Sequence, residues 1–379
     1  MKYLAEFRDP QRVRHCIAEL QRVTTRRWTV MEICGGQTHA IVRHGLDQLL
    51  PPGITLVHGP GCPVCVTPIE EIDQAIAVSM LPGVTLCSFG DMLRVPGTSS
   101  DLLQARAAGA DVRVVYSPLD AVELAIQEPD RDVVFFAVGF ETTAPASAAA
   151  IERATQLGLR NFSVLSSHVR VPPAMEAILT SDECEIDGFL AAGHVCSVMG
   201  SAEYQPLCER YQVPIVITGF EPLDILQGLL ACVEQLEARA ATGAPVRVEN
   251  QYTRAVRESG NVHAQSLVSR VFREAPRNWR GLGNIEGSGL ELREGYAQLD
   301  AKRRRGLEVR ATDHPHGNQP ASPCIAGRVL RGLAKPADCP CFAGECTPES
   351  PLGAPMVSSE GACAAYFQHR ARSSRGAES

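Results

Sequence analysis

The sequence predicts two parallel-sheet α/β domains followed by a third, cysteine-rich domain. Three observations carry that prediction. Short apolar runs ending in glycine alternate with helical segments, as they do where strands feed crossover helices. At 379 residues the chain exceeds one ordinary core. Beyond residue 310 the apolar runs give way to proline, glycine and cysteine.

The elements follow in order. Residues 9–22 place Val13, Cys16, Ile17 and Leu20 at helical spacing and read as a surface helix. Residues 28–33 are a short strand, handed by Cys34-Gly35-Gly36 to a helix holding His39, Ile41 and Val42. Residues 52–59 form a second strand ending in the glycine-rich loop of Cys62 and Cys65, and a helix runs through 70–80. Residues 82–90 repeat the strand-to-glycine design, and 112–116 are a fourth strand. The pattern restarts at 132–143 and continues through 162–165, 186–190 and 214–222. The two Gly-Phe-Glu strand ends, 139–141 and 219–221, look like equivalent corners of a second sheet. A helical region is expected up to Phe272 and another helix over 290–299. The expected division is a helical segment over 1–27 packing with the C-terminal domain, α/β domains over 28–125 and 126–245, and a helical, cysteine-rich domain over 246–379.

Composition narrows the function. A hydrophobic content of 45% is that of a globular chain, and a net charge of -7 gives no support to nucleic-acid binding. The basic run 302–305 reads as a solvated helix end. No stretch approaches the roughly 18 apolar residues that span a bilayer, and residues 1–20 lack the apolar core of a signal peptide. Fourteen cysteines without such a signal point to a reducing compartment, read as the cytoplasm, where clustered thiols do metal or redox work.

Cys34 stands at a strand end before two glycines, where unpaired helix N–H groups favour a thiolate. Gln37, Thr38 and His39 add polar groups to the next turn. Cys62 and Cys65, with Pro63 between them, have the spacing of a disulfide, a dithiol or half a zinc site. No second C-x-x-C exists, so two-thiol redox or transient metal capture is favoured. Glu32, Asp91, Glu141, Glu221 and Asp224 recur at strand ends, where a lone carboxylate is often only a cap. His168 and His194 also follow strands, and Gly193-His194-Val195-Cys196 brings imidazole and thiol into one corner. No glycine loop carries the lysine of a nucleotide-hydrolysing P-loop, and no G-x-G-x-x-G follows a strand. In the tail, Cys324, Cys339, Cys346 and Cys363, with Cys341 as an extra candidate, suit zinc or a [4Fe-4S] cluster. Beside a C-x-x-C, an iron–sulfur cluster is favoured because it moves electrons, which makes the third domain an iron–sulfur domain.

The blocks Cys34-Gly-Gly-Gln-Thr-His39, Gly59-Pro-Gly-Cys-Pro-Val-Cys65, Gly139-Phe-Glu-Thr-Thr143, Thr218-Gly-Phe-Glu-Pro-Leu-Asp224 and Met356-Val-Ser-Ser-Glu-Gly-Ala-Cys-Ala-Ala-Tyr366 resemble the signatures of the HypD family. The likeness runs from about residue 5 to 368. It implies a maturation factor of [NiFe]-hydrogenase that assembles the Fe(CN)2CO group in complex with the small chaperone HypC. Iron would sit between a cysteine of that partner and Cys34, with His39 beside it. Cyanide would come from HypE, supplied by HypF, and the hydrogenase large-subunit precursor would be reached through the chaperone. The resemblance makes Cys62 and Cys65 a redox-active dithiol near the assembly cleft. It also implies a [4Fe-4S] cluster in the third domain, arranged as in ferredoxin:thioredoxin reductase. Glu141 and Glu221 would handle protons or anchor the partner. Two departures stand out: Cys324-Ile-Ala326 replaces a frequent C-x-C, and Ala354-Pro355 replaces a block ending in cysteine. The rival readings are a general iron–sulfur protein-disulfide reductase and a zinc-stabilised scaffold.

Overall fold

Eleven strands are present among residues 5–307 and 323–371, which the computed structural model describes. In chain order they are β1 (Trp28–Glu32), β2 (Ile54–His58), β3 (Val84–Ser88), β4 (Asp111–Val114), β5 (Asp132–Gly139), β6 (Phe162–Val169), β7 (Gly188–Ala192), β8 (Ile215–Thr218), β9 (Val248–Asn250), β10 (Phe272–Trp279) and β11 (Gly283–Leu292). The first eight fall on the runs expected from sequence. Central strands such as β5 and β6 bury side chains on both faces, so they read as continuous apolar runs rather than alternations.

Two sheets result. One has the order β2-β1-β7-β8-β9 and is parallel throughout. The other has the order β10-β11-β6-β5-β3-β4. Its β3, β4, β5 and β6 are parallel, but β11 runs antiparallel to β6, and β10 antiparallel to β11. Strands from either side of residue 125 therefore meet in both sheets. The two Gly-Phe-Glu corners do not share a sheet: one follows β5, the other β8.

The expectation of two purely parallel sheets is thus corrected by the hairpin β10–β11, which falls between the two stretches expected to be helical and overlaps the start of the second. Only Val262–Val271 is helical before it, and Glu294–Leu299 is a short 3-10 turn. Arg280-Gly281-Leu282-Gly283 makes the turn, with Gly281 and Gly283 both at φ 84°, a region that glycine alone enters without strain. Pro276 falls where the register shifts between Ala275 and Arg277, the kind of place a sheet tolerates proline.

The N-terminal helix Pro10–Val23 buries Cys16 and Leu20 in one cluster with Leu226, Leu229 and Val233 of the long helix Pro222–Thr242. Thr25 and Trp28 are fixed there by Glu237, whose carboxylate accepts from Thr25 N–H and the Trp28 indole, each at 2.7 Å. That helix flanks the parallel sheet, so the N-terminal segment is anchored on the β8 side, and Phe7 packs under Arg254.

The expected iron–sulfur domain is likewise corrected. Cys341, Cys346 and Cys363 pack with Met356 and Ala364 into a small apolar cluster flanked by Cys339, Phe342 and Phe367. Among the described residues, no group of three or more His, Cys, Asp or Glu side chains is arranged to hold a metal ion. No helix of the described residues is long and apolar enough to cross a membrane.

Candidate functional site

In an open α/β sheet, ligands bind beyond the carboxyl ends of the strands where the strand order reverses. In the parallel sheet the chain leaves β1 for β2 on one side, while β7 lies on the other. The reversal therefore falls between β1 and β7. Cys34 follows β1 and caps the helix Gly35–His44. His194 follows β7 in the first turn of the helix Gly193–Met199. The two meet there, with Cys34 Sγ 3.5 Å from His194 Nδ1.

The glycine-rich loop lies directly on this turn. Gly35 N–H donates to Gly61 O at 2.9 Å, and Gly59 N–H to Glu32 O at 2.8 Å. A Cβ at Gly61 would come within 2.2 Å of the Cys34 nitrogen, so only glycine permits the approach. One residue further, Cys62 and Cys65 are joined as a disulfide, both buried. Cys62 caps the one-turn helix Pro63–Val66, and Cys65 N–H points at its sulfur at 3.3 Å.

Around Cys34 the polar contacts are specific. Glu32, fully buried, accepts from Cys34 N–H at 2.9 Å and from the Thr38 hydroxyl. Nδ1 of His58 lies 2.6 Å from the same carboxylate. The Gln37 amide donates to Thr218 Oγ1 at 2.6 Å and to Ala191 O at 3.2 Å, tying the turn to the ends of β8 and β7. Phe220 stacks near His194, with ring centroids 5.4 Å apart, and covers Gly36.

Electrostatics correct one expectation. The helix N-terminus was expected to lower the Cys34 pKa. Burial instead pushes it well above the usual thiol value; the Gln37 N–H pulls the other way, followed by smaller raising effects of Glu32 and Glu360 and a lowering one of the Gly36 N–H. Burial also lowers His194 to about 4, so its imidazole is neutral at pH 7, with a lone pair on one ring nitrogen and burial opposing the cation.

The other expected site residues divide. His39 sits on the next turn but faces the C-terminal segment: its Nδ1 is 3.2 Å from Ser359 O, and its ring lies 5.1 Å from that of His369. Glu221 caps the helix Pro222–Thr242 and is held by Arg8. Asp224 is fully buried against Arg254, 2.7 Å from Oδ1 to Nη1. Glu141 is buried after β5, where its Oε1 accepts from Val171 N–H at 2.8 Å while its Oε2 has no partner among the described residues. Burial raises its pKa to about 7. His168 is a core residue between Gly139 O, at 3.2 Å, and the Ser147 hydroxyl, at 2.9 Å.

The C-terminal thiols Cys324, Cys339, Cys341, Cys346 and Cys363 come near one another, and burial raises Cys324 to about 11 and Cys363 further still. Cys341, Cys346 and Cys363, with Cys339 against them, pack as an apolar cluster rather than as a donor set. The expected cofactors are a [4Fe-4S] cluster and iron as an Fe(CN)2CO intermediate shared with a partner's cysteine; among the described residues no group of donors fits a cluster or would hold iron by itself.

His194 is the residue the sequence reading left out of the site. Its one signal is the Gly-His-Val-Cys corner after a strand. Alone, that is no more specific than any other histidine at a strand end.

Comparison with known proteins adds a family. The profile described as "HypD: Hydrogenase formation hypA family" matches residues 11–370. The chain is 49% identical over 380 residues to "Hydrogenase maturation factor HypD" of Azotobacter vinelandii, covering 97% of each chain. It is 46% identical over 378 residues to that factor of Rhodobacter capsulatus, covering 97% of this chain and 98% of the relative. The Escherichia coli factor is 43% identical over 382 residues, covering 99% of this chain and all of the relative.

Proposed function

This chain belongs to the HypD family of [NiFe]-hydrogenase maturation factors, and from that premise we propose that its β1–β7 crevice is the workplace of the maturation reaction. The observation that carries the reading is the Cys34–His194 pair at the strand-order reversal, with the disulfide loop packed on it.

The cargo is the iron group destined for the hydrogenase, here a substrate and not a resident cofactor. This chain offers it one soft ligand, Cys34, and a HypC-type chaperone supplies a second thiolate. Soft sulfur donors suit iron that is acquiring cyanide and CO. With His194 neutral, the proton that Cys34 loses on meeting the metal has an acceptor 3.5 Å away. A HypE-type protein delivers cyanide, and the large-subunit precursor is met through the chaperone. All of this takes place in the cytoplasm.

Cys62 and Cys65 serve as the redox pair. The disulfide takes two electrons and two protons to become a dithiol, and a thiol reductant from outside the chain supplies them. No step passes through a resident cluster. Glu141, neutral or charged near pH 7, is a proton store at the neighbouring sheet end, and Glu221 holds the N-terminal segment through Arg8. His39 holds the C-terminal segment and does not touch the thiol.

The test is anaerobic co-purification with the chaperone, in wild-type and Cys34→Ala form. The variant should lose the iron–cyanide infrared bands and fail to restore hydrogenase activity to cells lacking their own family member. Retained, stoichiometric bands would overturn the assignment.

A further inference from the structure

The Cys34 turn is connected to the far end of the chain by a buried polar path. Glu32 takes three hydrogen bonds there, from Cys34 N–H, the Thr38 hydroxyl and His58. A carboxylate only accepts, so Nδ1 of His58 carries the proton in that contact. The other ring nitrogen, Nε2, lies 3.3 Å from the Tyr366 hydroxyl, and the two rings meet edge-to-face at 5.5 Å. All three side chains are at least 96% buried. Tyr366 ends the helix Ala362–Tyr366, and its hydroxyl also faces Asp47. Arg370 clamps Asp47 and lies over the Tyr366 ring at 4.3 Å.

The same C-terminal segment reaches the turn at two more points. Ser359 O meets His39, and Glu360 packs so closely on Gly35 that a Cβ there would come within 2.5 Å of its own. Residues 359–370 thus close over the turn that carries the working thiol.

We infer that Tyr366 is a positioning residue for Cys34: through His58 and Glu32 it fixes the backbone of the Cys34 turn, so that the C-terminal segment governs how accessible the thiol is. Buried hydrogen-bonded chains act as units, because removing one partner leaves the next unsatisfied in a low-dielectric interior. Without the Tyr366 hydroxyl, Nε2 of His58 loses its partner and the imidazole its fixed orientation. Glu32 then loosens its grip on Cys34 N–H. Cys34 is only 1% exposed, so its encounter with any reagent waits on opening of this turn.

The inference rests on Cys34 being the working thiol, but its test needs no maturation partner. Iodoacetamide labelling of Cys34 is followed by mass spectrometry on the tryptic peptide 28–43, which contains no other cysteine. Tyr366→Phe keeps the ring on Arg370 and removes only the oxygen. It should label Cys34 about fivefold faster than wild type, the size of one net hydrogen bond, with a melting temperature lowered by no more than a few degrees. In a His58→Ala background the same substitution should add nothing, because the path is already cut. Glu32→Gln, which keeps an acceptor for Cys34 N–H, should label at an intermediate rate. A Tyr366→Phe rate equal to wild type would overturn the inference. So would a fivefold effect that persists without His58, because the Tyr366 hydroxyl would then act through Asp47 and not along this path. Either negative result concerns the path and not the hydrogenase reading, which the iron–cyanide bands decide separately.

Discussion

Nδ1 of His194 lies 3.5 Å from the sulfur of Cys34, although 160 residues separate them in sequence. Neither residue is distinctive alone. A thiol capping a helix and a histidine after a strand are both common, and each is most often structural. What makes them a pair is the strand order, which sets β1 beside β7 and points both carboxyl ends into one crevice. The Gly59–Cys65 loop then places a disulfide on the same turn.

If His194 receives the Cys34 proton, its loss should be felt in chemistry and not in folding. A positioned base typically contributes about a hundredfold or more. His194→Ala should therefore lower hydrogenase maturation by about that factor in a complementation assay while leaving the melting temperature within a few degrees. His39→Ala, whose imidazole faces Ser359, should fall far less. Equal losses in the two variants would remove the special place given to His194.

Cys62 and Cys65 close a loop of only four residues, so their disulfide constrains the unfolded chain little. Reduction should cost about 2 kcal/mol at most. A thiol assay on the native protein should count two more sulfhydryls after reduction, and maturation activity should depend on the pair's redox state. The Cys62→Ser/Cys65→Ser variant should fold normally and mature no hydrogenase. Full activity in that variant would show that the pair is only a staple.

Glu71 is buried between Arg277 of β10 and Lys302, with Lys302 Nζ at 2.9 Å. Burial opposes its ionisation, but the two cations override it and hold its pKa at about 2 against an ordinary 4.5. A depressed carboxylate contributes stability that is complete above pH 4.5 and lost as the pH falls through 2. Arg277→Met should cost about 3 kcal/mol near neutral pH, measured by urea unfolding, since it strands a buried charge with one remaining partner. It should also flatten the acid limb of the stability curve. Adding Glu71→Gln should restore part of the loss.

Much of this was legible in the sequence, for physical reasons that can be named. β5 and β6 bury both faces, so their apolar runs stood out. Cys34, Cys62 and Cys65 stood out because glycines flank them where backbone must approach backbone. Three things were not legible. His39 lies five residues beyond Cys34, and at about 100° per residue that turns it well away from the cap. His194 depended on which strand neighbours β1, which no local pattern encodes. The hairpin β10–β11 was hidden because charged and polar side chains interrupt its apolar pattern, although Ala275, Arg277 and Trp279 alternate inward. The C-terminal cysteines are a different case. Their density in sequence suggested a ligand set, whereas the described residues pack them with Met356, Ala364 and aromatic rings.

Glu141 offers a test with a definite sign. Its carboxyl is buried, Oε1 is held by Val171 N–H, and Oε2 has no partner among the described residues. Burial is the dominant cause of a pKa near 7, against an ordinary 4.5. The folded state therefore binds this proton more tightly than the unfolded chain does. Its contribution to stability is complete below pH 4.5, declines as the pH rises, and is gone once the pH has passed 7. At about 1.4 kcal/mol per pH unit, the decline amounts to about 3 kcal/mol. Glu141→Gln keeps the acceptor for Val171 N–H and never ionises. Relative to wild type, it should become more stable by up to that amount between pH 5 and pH 8, measured by urea unfolding at each pH. A difference that does not change with pH would mean that Glu141 stays ionised throughout, and its role as a proton store in maturation would go with it.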